Sequence, residues 1–351
     1  MSKARIQGLD AVRGIAILLV MLRHSWGDAF GGAGIVGVVT FFTLSGYLIT
    51  GLLANDMRTY GRIRYGRFYR NRAIRLLPAL AFMLLGFALI EGLLHIGSGQ
   101  VPRSIAVALS YTADVPGINH GSTDLSHLWT LANEEQFYLI WPILILVAVR
   151  YRKTWLTLAL TAAGILAILT LTVTHVEPLV KIYTWPSTWT ISMVIGAAGQ
   201  LGSAYIARVI SRRSATVLGL AGLAGLVGLS FLPDAKGNPW VYEFGGITIA
   251  LFALALIWWA KDLPVVPDWV RPIVALGVIS YAAYLWNYPI TWWLQDAGVT
   301  DWQIPAIILT IGAATLSWFA VERPFNRVKA RLGAPTGTTE PVAESSVPTR
   351  G

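Results

Sequence analysis

Apolar residues follow one another along this chain in long, nearly unbroken runs, without the two-residue alternation of a half-exposed strand. A run of about 17–25 such residues is long enough to cross the hydrocarbon core of a bilayer as an α-helix. Ten runs of that kind stand out, roughly 9–27, 34–54, 76–96, 127–149, 154–174, 186–206, 214–232, 244–260, 273–294 and 304–322. The polar segments between them are short apart from residues 97–126, a stretch long for a connector and placed to cap a site. The pattern predicts an all-α integral membrane protein, a bundle of about ten transmembrane helices. Composition points the same way. Hydrophobic residues make up 55% of the chain and charged residues 13%, against about 25% charged in soluble domains.

The formal charge of +9 would suit a nucleic-acid binder if the basic residues shared one soluble face. Instead they fall in short segments between apolar runs. With the N-terminus placed in the cytoplasm, all but four of the 27 Lys and Arg residues lie on the cytoplasmic side, the four being Arg23, Arg103, Lys181 and Lys236. The positive-inside rule then puts both termini in the cytoplasm and calls for an even number of spans. The charge is therefore topological, with lipid headgroups as its partner, and no nucleic-acid partner is expected. Residues 1–332 read as one transmembrane domain in a cell membrane, plasma or bacterial inner. Gly333 to Gly351, rich in Pro, Thr, Ser and Gly, read as a disordered cytoplasmic tail, with no soluble domain appended. The absence of cysteine excludes disulfide and thiolate chemistry.

Charge interrupts the first run in a way that calls for a purpose. Asp10, Arg13, Arg23 and His24 all lie in it or at its end, and an Asp, Lys or Arg at mid-membrane costs roughly 2.5–3.5 kcal/mol. Such residues face a protein interior or a wet cavity. Arg13 and His24 are eleven residues apart, which on a helix is about 16 Å of rise and about 20° from eclipsed. They share one stripe, with Arg13 near one membrane face and His24 well toward the other. Asp10 lies one turn before Arg13, at pairing distance.

Five local patterns recur together. They are residues 8–24, Gly-Leu-Asp-Ala-Val-Arg-Gly through Leu-Arg-His; residues 41–50, Phe-Phe-Thr-Leu-Ser-Gly-Tyr-Leu-Ile-Thr; the basic stretch Phe68 to Pro78 with Arg72-x-x-Arg75; residues 126–139 with Ser-His-Leu-Trp and then Glu134 and Glu135; and Ser280-Tyr281-x-x-Tyr284-Leu285-x-Asn287-x-Pro289, followed by Val321-Glu322-Arg323-Pro324. As a set they resemble the acyltransferase 3 family of multi-span membrane acyltransferases, over nearly the whole chain. Two positions depart from the family pattern. Asn71 replaces one of a usual pair of basic residues, and Asn287 stands where many relatives carry a second His.

The resemblance implies transfer of an acyl group, usually acetyl from cytoplasmic acetyl-CoA or another acyl-CoA, to a hydroxyl of a glycan, lipid-linked sugar, cell-wall component or small metabolite. The acyl-CoA is then a donor substrate, and no bound cofactor is expected. Acyl transfer to an alcohol needs a base for the hydroxyl proton, and His, with an ordinary pKa near 6.5, suits it. His24 is assigned that role, with Glu134 as the carboxylate that fixes its tautomer. Arg13, Arg72 and Arg75, with Asp10 beside them, are assigned to a phosphate-rich donor, since guanidinium forks bind phosphate bidentately. Ser45, Tyr47, Trp129, Glu135, Tyr138 and Asn287 are read as site lining. Glu91 and His95, four apart, form the next pair to consider. No His, Asp and Glu cluster has metal-ligand spacing, so no metal is expected. The competing function is a transporter or flippase of a glycolipid or anion, using the same buried charges as a pathway.

Overall fold

A backbone in hydrocarbon has to satisfy its own N–H and C=O groups, and a helix does so within one segment. The computed structural model describes residues 6–94 and 100–332; helix makes up 82% of it, and no strand occurs among the described residues. The helices are α1 (Gln7–Ser25), α2 (Ala33–Tyr60), α3 (Tyr65–Leu94), α4 (Val101–Ser110), α5 (Trp129–Arg150), α6 (Thr154–His175), α7 (Pro186–Leu201), α8 (Ser203–Val209), α9 (Arg212–Ser230), α10 (Gly246–Ala260), α11 (Arg271–Val278), α12 (Ser280–Asp296), α13 (Gln303–Ser317) and α14 (Arg323–Leu332). Each of the ten apolar runs coincides with one of these helices or with a bent pair. The expected tail from Gly333 onward and His95 lie outside the described residues.

Among the described residues, seven segments are by length and hydropathy able to cross a membrane, or nine if α7 with α8 and α11 with α12, bent by 63° and 69°, each count as one. Ten were expected. The difference is α1, where Asp10, Arg13 and Arg23 all sit within 19 residues. The third run also begins earlier than read, at Tyr65 rather than near 76. Its arginines are good helix formers, so the helix continues through a basic stretch that hydropathy alone excludes.

Residues 100–126 are more than a connector. After α4, which packs against α3, the chain reverses at Tyr111, whose φ is 52°, and returns along α5. Gln136 of α5 holds the reversal, its Nε2 donating to the Tyr111 carbonyl at 3.4 Å and to Asp114 Oδ1 at 2.8 Å. The Ser122 N–H donates to Ser104 Oγ at 2.7 Å and ties the return to the start of α4. These bonds answer polar groups that would otherwise be stranded between helices.

Close helix crossings rest on small residues, as lipid offers no hydrophobic drive for helices to associate. At the α2–α7 crossing, a Cβ on Gly46 would run into the Met193 carbonyl and one on Gly196 into the Thr43 carbonyl. The α1–α11 crossing repeats this reciprocity, with Gly14 against the Ile273 carbonyl and Gly277 against the Asp10 carbonyl. These contacts fix how α1 and α2 are rotated, and so where their polar residues point. Gly46→Ala and Gly196→Ala are each expected to destabilise the protein by about 1–3 kcal/mol through overpacking. Gly164→Ala, where nothing lies within 4 Å of a new Cβ, is expected to be neutral. Thermal unfolding of the detergent-solubilised variants checks the contrast.

Candidate active site

An internal cavity of about 480 Å³ is lined by α2, α3, α5 and α12, with Arg13 from α1 and Tyr111 from the reversal after α4. Along α2 its lining runs from Asp56 to Val38, about 27 Å of helix. Its mouth lies at the arginine-rich end of the bundle, where Asp56, Arg64 and Arg67 line it. There Arg64 Nη2 pairs with Asp56 Oδ1 at 2.7 Å. That pair closes the tight turn made by Gly61, whose φ of 64° suits glycine.

Deeper in, the arginines are held by neighbours rather than left free. Arg72 and Arg75, three apart on α3, present to one face. Arg72 Nη2 donates to Glu135 Oε1 at 2.5 Å, and the guanidinium carbon lies 3.5 Å from the Tyr138 ring centroid. Glu134 and Glu135 are consecutive on α5, so their side chains diverge by about 100°. Glu135 turns to α3, and Glu134 turns to α2, where Ser45 Oγ donates to Glu134 Oε1 at 2.7 Å. Arg13 Nη1 donates to Asp10 Oδ1 at 3.0 Å. Among the described residues no three His, Asp or Glu side chains are placed to hold a metal ion. The cationic wall instead suits phosphate groups.

A layer of rings closes the inner end. Thr130 and Tyr284 line the cavity there; Thr130 Oγ1 donates to the Tyr284 hydroxyl at 2.7 Å, which in turn donates to the His127 carbonyl at 2.8 Å. The His127 ring lies 5.4 Å from the Tyr284 ring and stacks on Tyr288 at 5.1 Å, and Tyr288 meets His24 edge-on at 4.9 Å. On its other side His24 is fixed by Asn287, with Nδ1 and Oδ1 2.6 Å apart. Asn287 is fully buried and directs Nδ2 to Thr310 Oγ1 at 3.3 Å. Oδ1 is therefore the atom that accepts from His24 Nδ1–H, which leaves the lone pair on Nε2.

The geometry corrects several assignments read from sequence. Glu134 does not meet His24: it lies on α5 roughly 8 Å beyond Trp129 and faces Ser45, while the partner of His24 is Asn287. Asp10 is buried and serves Arg13 rather than the cavity. Tyr47 is buried outside the cavity lining, because the α2–α7 crossing takes its side of α2. Trp129 packs edge-on between Phe42 and Tyr183 at 6.1 and 5.4 Å, behind the ring layer rather than on the cavity wall. Arg13, Arg72, Arg75, Ser45, Glu135 and Tyr138 do line the cavity. Glu91 receives Ser122 Oγ at 3.4 Å and stands away from this site. Sequence reasoning missed His127 and Tyr288 as neighbours of His24, although both lie inside the recurrent motifs, and missed Arg64 and Arg67 at the mouth.

A family model described as an acyltransferase domain matches residues 6–322. Over 351 residues the chain is 29% identical to the O-acetyltransferase OatA of Staphylococcus aureus (strain NCTC 8325 / PS 47), covering 92% of this chain and 57% of that protein. Over 357 residues it is 28% identical to the peptidoglycan O-acetyltransferase OatA of Listeria monocytogenes serovar 1/2a (strain ATCC BAA-679 / EGD-e), covering 93% of this chain and 56% of that protein. The chain thus spans a little over half the length of these curated relatives. No solved structure matches it.

The Arg72–Glu135 contact is expected to be energetically coupled, because removing either partner leaves the other half-buried without its counter-charge. In a double-mutant cycle of Arg72→Gln and Glu135→Gln, read by thermal unfolding, the double variant should lose less than the two single losses added together. The expected coupling is about 0.5–3 kcal/mol. Additive losses would show that the pair carries no interaction of its own.

Proposed function

The chain belongs to the acyltransferase family, and from that premise we propose that it is a membrane O-acyltransferase moving an acyl group, acetyl in the first instance, from cytoplasmic acyl-CoA to a hydroxyl at the opposite membrane face. The observation that carries this reading is the place of His24. It sits one ring layer beyond the inner end of an arginine-lined cavity that opens at the other side of the bundle. In this reading Arg13, Arg72 and Arg75 take the phosphates of the donor, and the acyl thioester reaches inward toward the layer of Tyr284, His127 and Tyr288. The cavity's volume lies within the range of small-molecule sites, about 300–1,000 Å³.

The proton path follows from the bond to Asn287. With Nδ1–H donated to Asn287 Oδ1, His24 Nε2 accepts the hydroxyl proton as the acceptor oxygen attacks the thioester carbonyl. A C–O bond forms, the C–S bond breaks, and Nε2 returns the proton to the departing thiolate. Asn287 does here the orienting work that a carboxylate does in hydrolase triads. Glu134 is assigned to the cavity wall, holding Ser45 and countering Arg72 and Arg75. The acceptor is a glycan, lipid-linked sugar, cell-wall component or small metabolite. The name of the Listeria relative makes peptidoglycan the first to try.

For topology, α1 is taken as the tenth span, its charges turned to the protein interior, and both termini are placed in the cytoplasm of a plasma or bacterial inner membrane. The cysteine-free chain makes this directly testable. Single cysteines at Arg152 and Arg213 should react with a membrane-impermeant maleimide only from the cytoplasmic side, and those at Gly117 and Gly237 only from outside. Reaction of all four from one side would overturn the arrangement.

Membranes carrying the chain and supplied with acetyl-CoA and peptidoglycan should release free CoA thiol; a transporter would not. His24→Ala is expected to lower that release by about 10²–10⁴-fold, the usual cost of losing a general base. Asn287→Leu should lower it too, Asn287→His should restore it in part, and the His24→Ala, Asn287→Leu double variant should lose nothing further, since the two act as a unit. Wild-type rates in His24→Ala would remove this residue from the chemistry.

A further inference from the structure

Beside His24, which is not part of the cavity lining, two cations, Arg23 and Lys236, come within electrostatic reach of one another. Arg23 follows Leu22 at the end of α1, and its side chain is packed in place. A Cβ on Gly34 would lie 3.0 Å from Arg23 Cγ. Lys236, from the loop between α9 and α10, lies with its Nζ 4.2 Å from the Tyr183 ring centroid. Its backbone is anchored where the Tyr242 hydroxyl donates to the Lys236 carbonyl at 2.8 Å. Tyr183 is also within electrostatic reach of Arg23 and of Tyr288, the ring that touches His24. Both cations are half-buried, and among the described residues neither forms an ion pair.

Like charges held together at a half-buried position repel, and that arrangement persists at less cost when an anion joins it. Burial above all, and the Arg23 guanidinium in second place, push the Lys236 ammonium down from its ordinary 10.5 to about 8. The placement is also selective along the chain. Only four basic residues fall on this face by the charge pattern, Arg23, Arg103, Lys181 and Lys236, and two of them converge next to His24.

We propose that Arg23 and Lys236, brought together beside His24 with Lys236 against the Tyr183 ring, bind an anionic group, carboxylate or phosphate, carried by the hydroxyl-bearing acceptor. The acceptor is then an acidic molecule of sugar-like polarity, gripped by its charge so that a neighbouring hydroxyl lies against His24 Nε2. Tyr183 and Tyr288 supply apolar faces on which a sugar ring rests. This rests on the acyltransferase reading for its orientation, but the site itself is a separate claim. An anionic lipid headgroup offers the same chemistry, and the test separates the two.

The full chain is placed in phosphatidylcholine nanodiscs, and reductive methylation of Lys236 is followed by mass spectrometry, with the exposed Lys181 as internal reference. Glucuronate and glucose serve as probes, since they differ in the carboxylate. An anion seated on Lys236 that raises its pKa by one unit reduces its free-amine fraction at about pH 7 by about tenfold. Glucuronate should therefore slow methylation of Lys236 by about that factor, glucose should not, and Lys181 should be unaffected by either. Arg23→Gln should abolish the protection, and Arg23→Lys should keep it, which separates lost charge from lost fold. Equal effects of the two sugars, or protection untouched by Arg23→Gln, would overturn the proposal. Protection by phosphatidylglycerol in the disc where glucuronate gives none would overturn it as well and assign the pair to lipid. The readout does not pass through acyl transfer, so it can fail or succeed independently of thiol release.

Discussion

A charge withdrawn from water has to be answered by a partner, and the architecture around the cavity is organised by that requirement. Asp10 answers Arg13, Glu135 and the Tyr138 face answer Arg72, and Asp56 answers Arg64 at the mouth. Each pairing restrains a guanidinium without exhausting it, because Arg carries five N–H donors in a fixed fork. Arg72 keeps its buried Nε–H unpartnered. The cavity wall is thus tolerated in the absence of a ligand and still able to receive one.

The same economy holds at His24. An imidazole wedged among rings would have no preferred tautomer, and the contact with Asn287 supplies one. Asn287 is itself oriented by Thr310, so the choice of acceptor atom is made two residues away from the ring that matters. An amide in place of an imidazole at this position keeps the orienting bond and removes a second titrating group. The Leu285 carbonyl, which Pro289 has no N–H to satisfy, faces His127. The proline of this motif thereby gives the buried ring a polar neighbour.

The two ends of the bundle carry positive charge in different forms. At the mouth it is abundant, partly paired and arranged along a cavity whose inner end lies one ring layer from His24. At the other end it is sparse, without an ion pair among the described residues, and Lys236 is set against the Tyr183 ring. The layer of Tyr284, His127 and Tyr288 stands between them. The reciprocal glycine crossings of α2 with α7 and α1 with α11 set the rotation of the helices bearing Ser45, Arg13 and His24.

Much of this was legible in the chain itself. Runs of apolar residues determined where the helices lie, and the charges inside α1 marked Arg13 and His24 as residues with a purpose. The spacing of Arg72 and Arg75 put them on one face. What the sequence could not fix was pairing. His24 and Asn287 are separated by 263 positions, and Glu134 turned out to face Ser45 because of how α5 is rotated and how deep it starts. The inward reversal at Tyr111 was hidden for the same reason, its carbonyl and the Asp114 carboxylate both being bonded by Gln136 on another helix. Hydropathy and helical period are properties of one segment and are written locally. The partner of a polar side chain depends on the depth and rotation of two segments at once, and those are settled only when the helices pack.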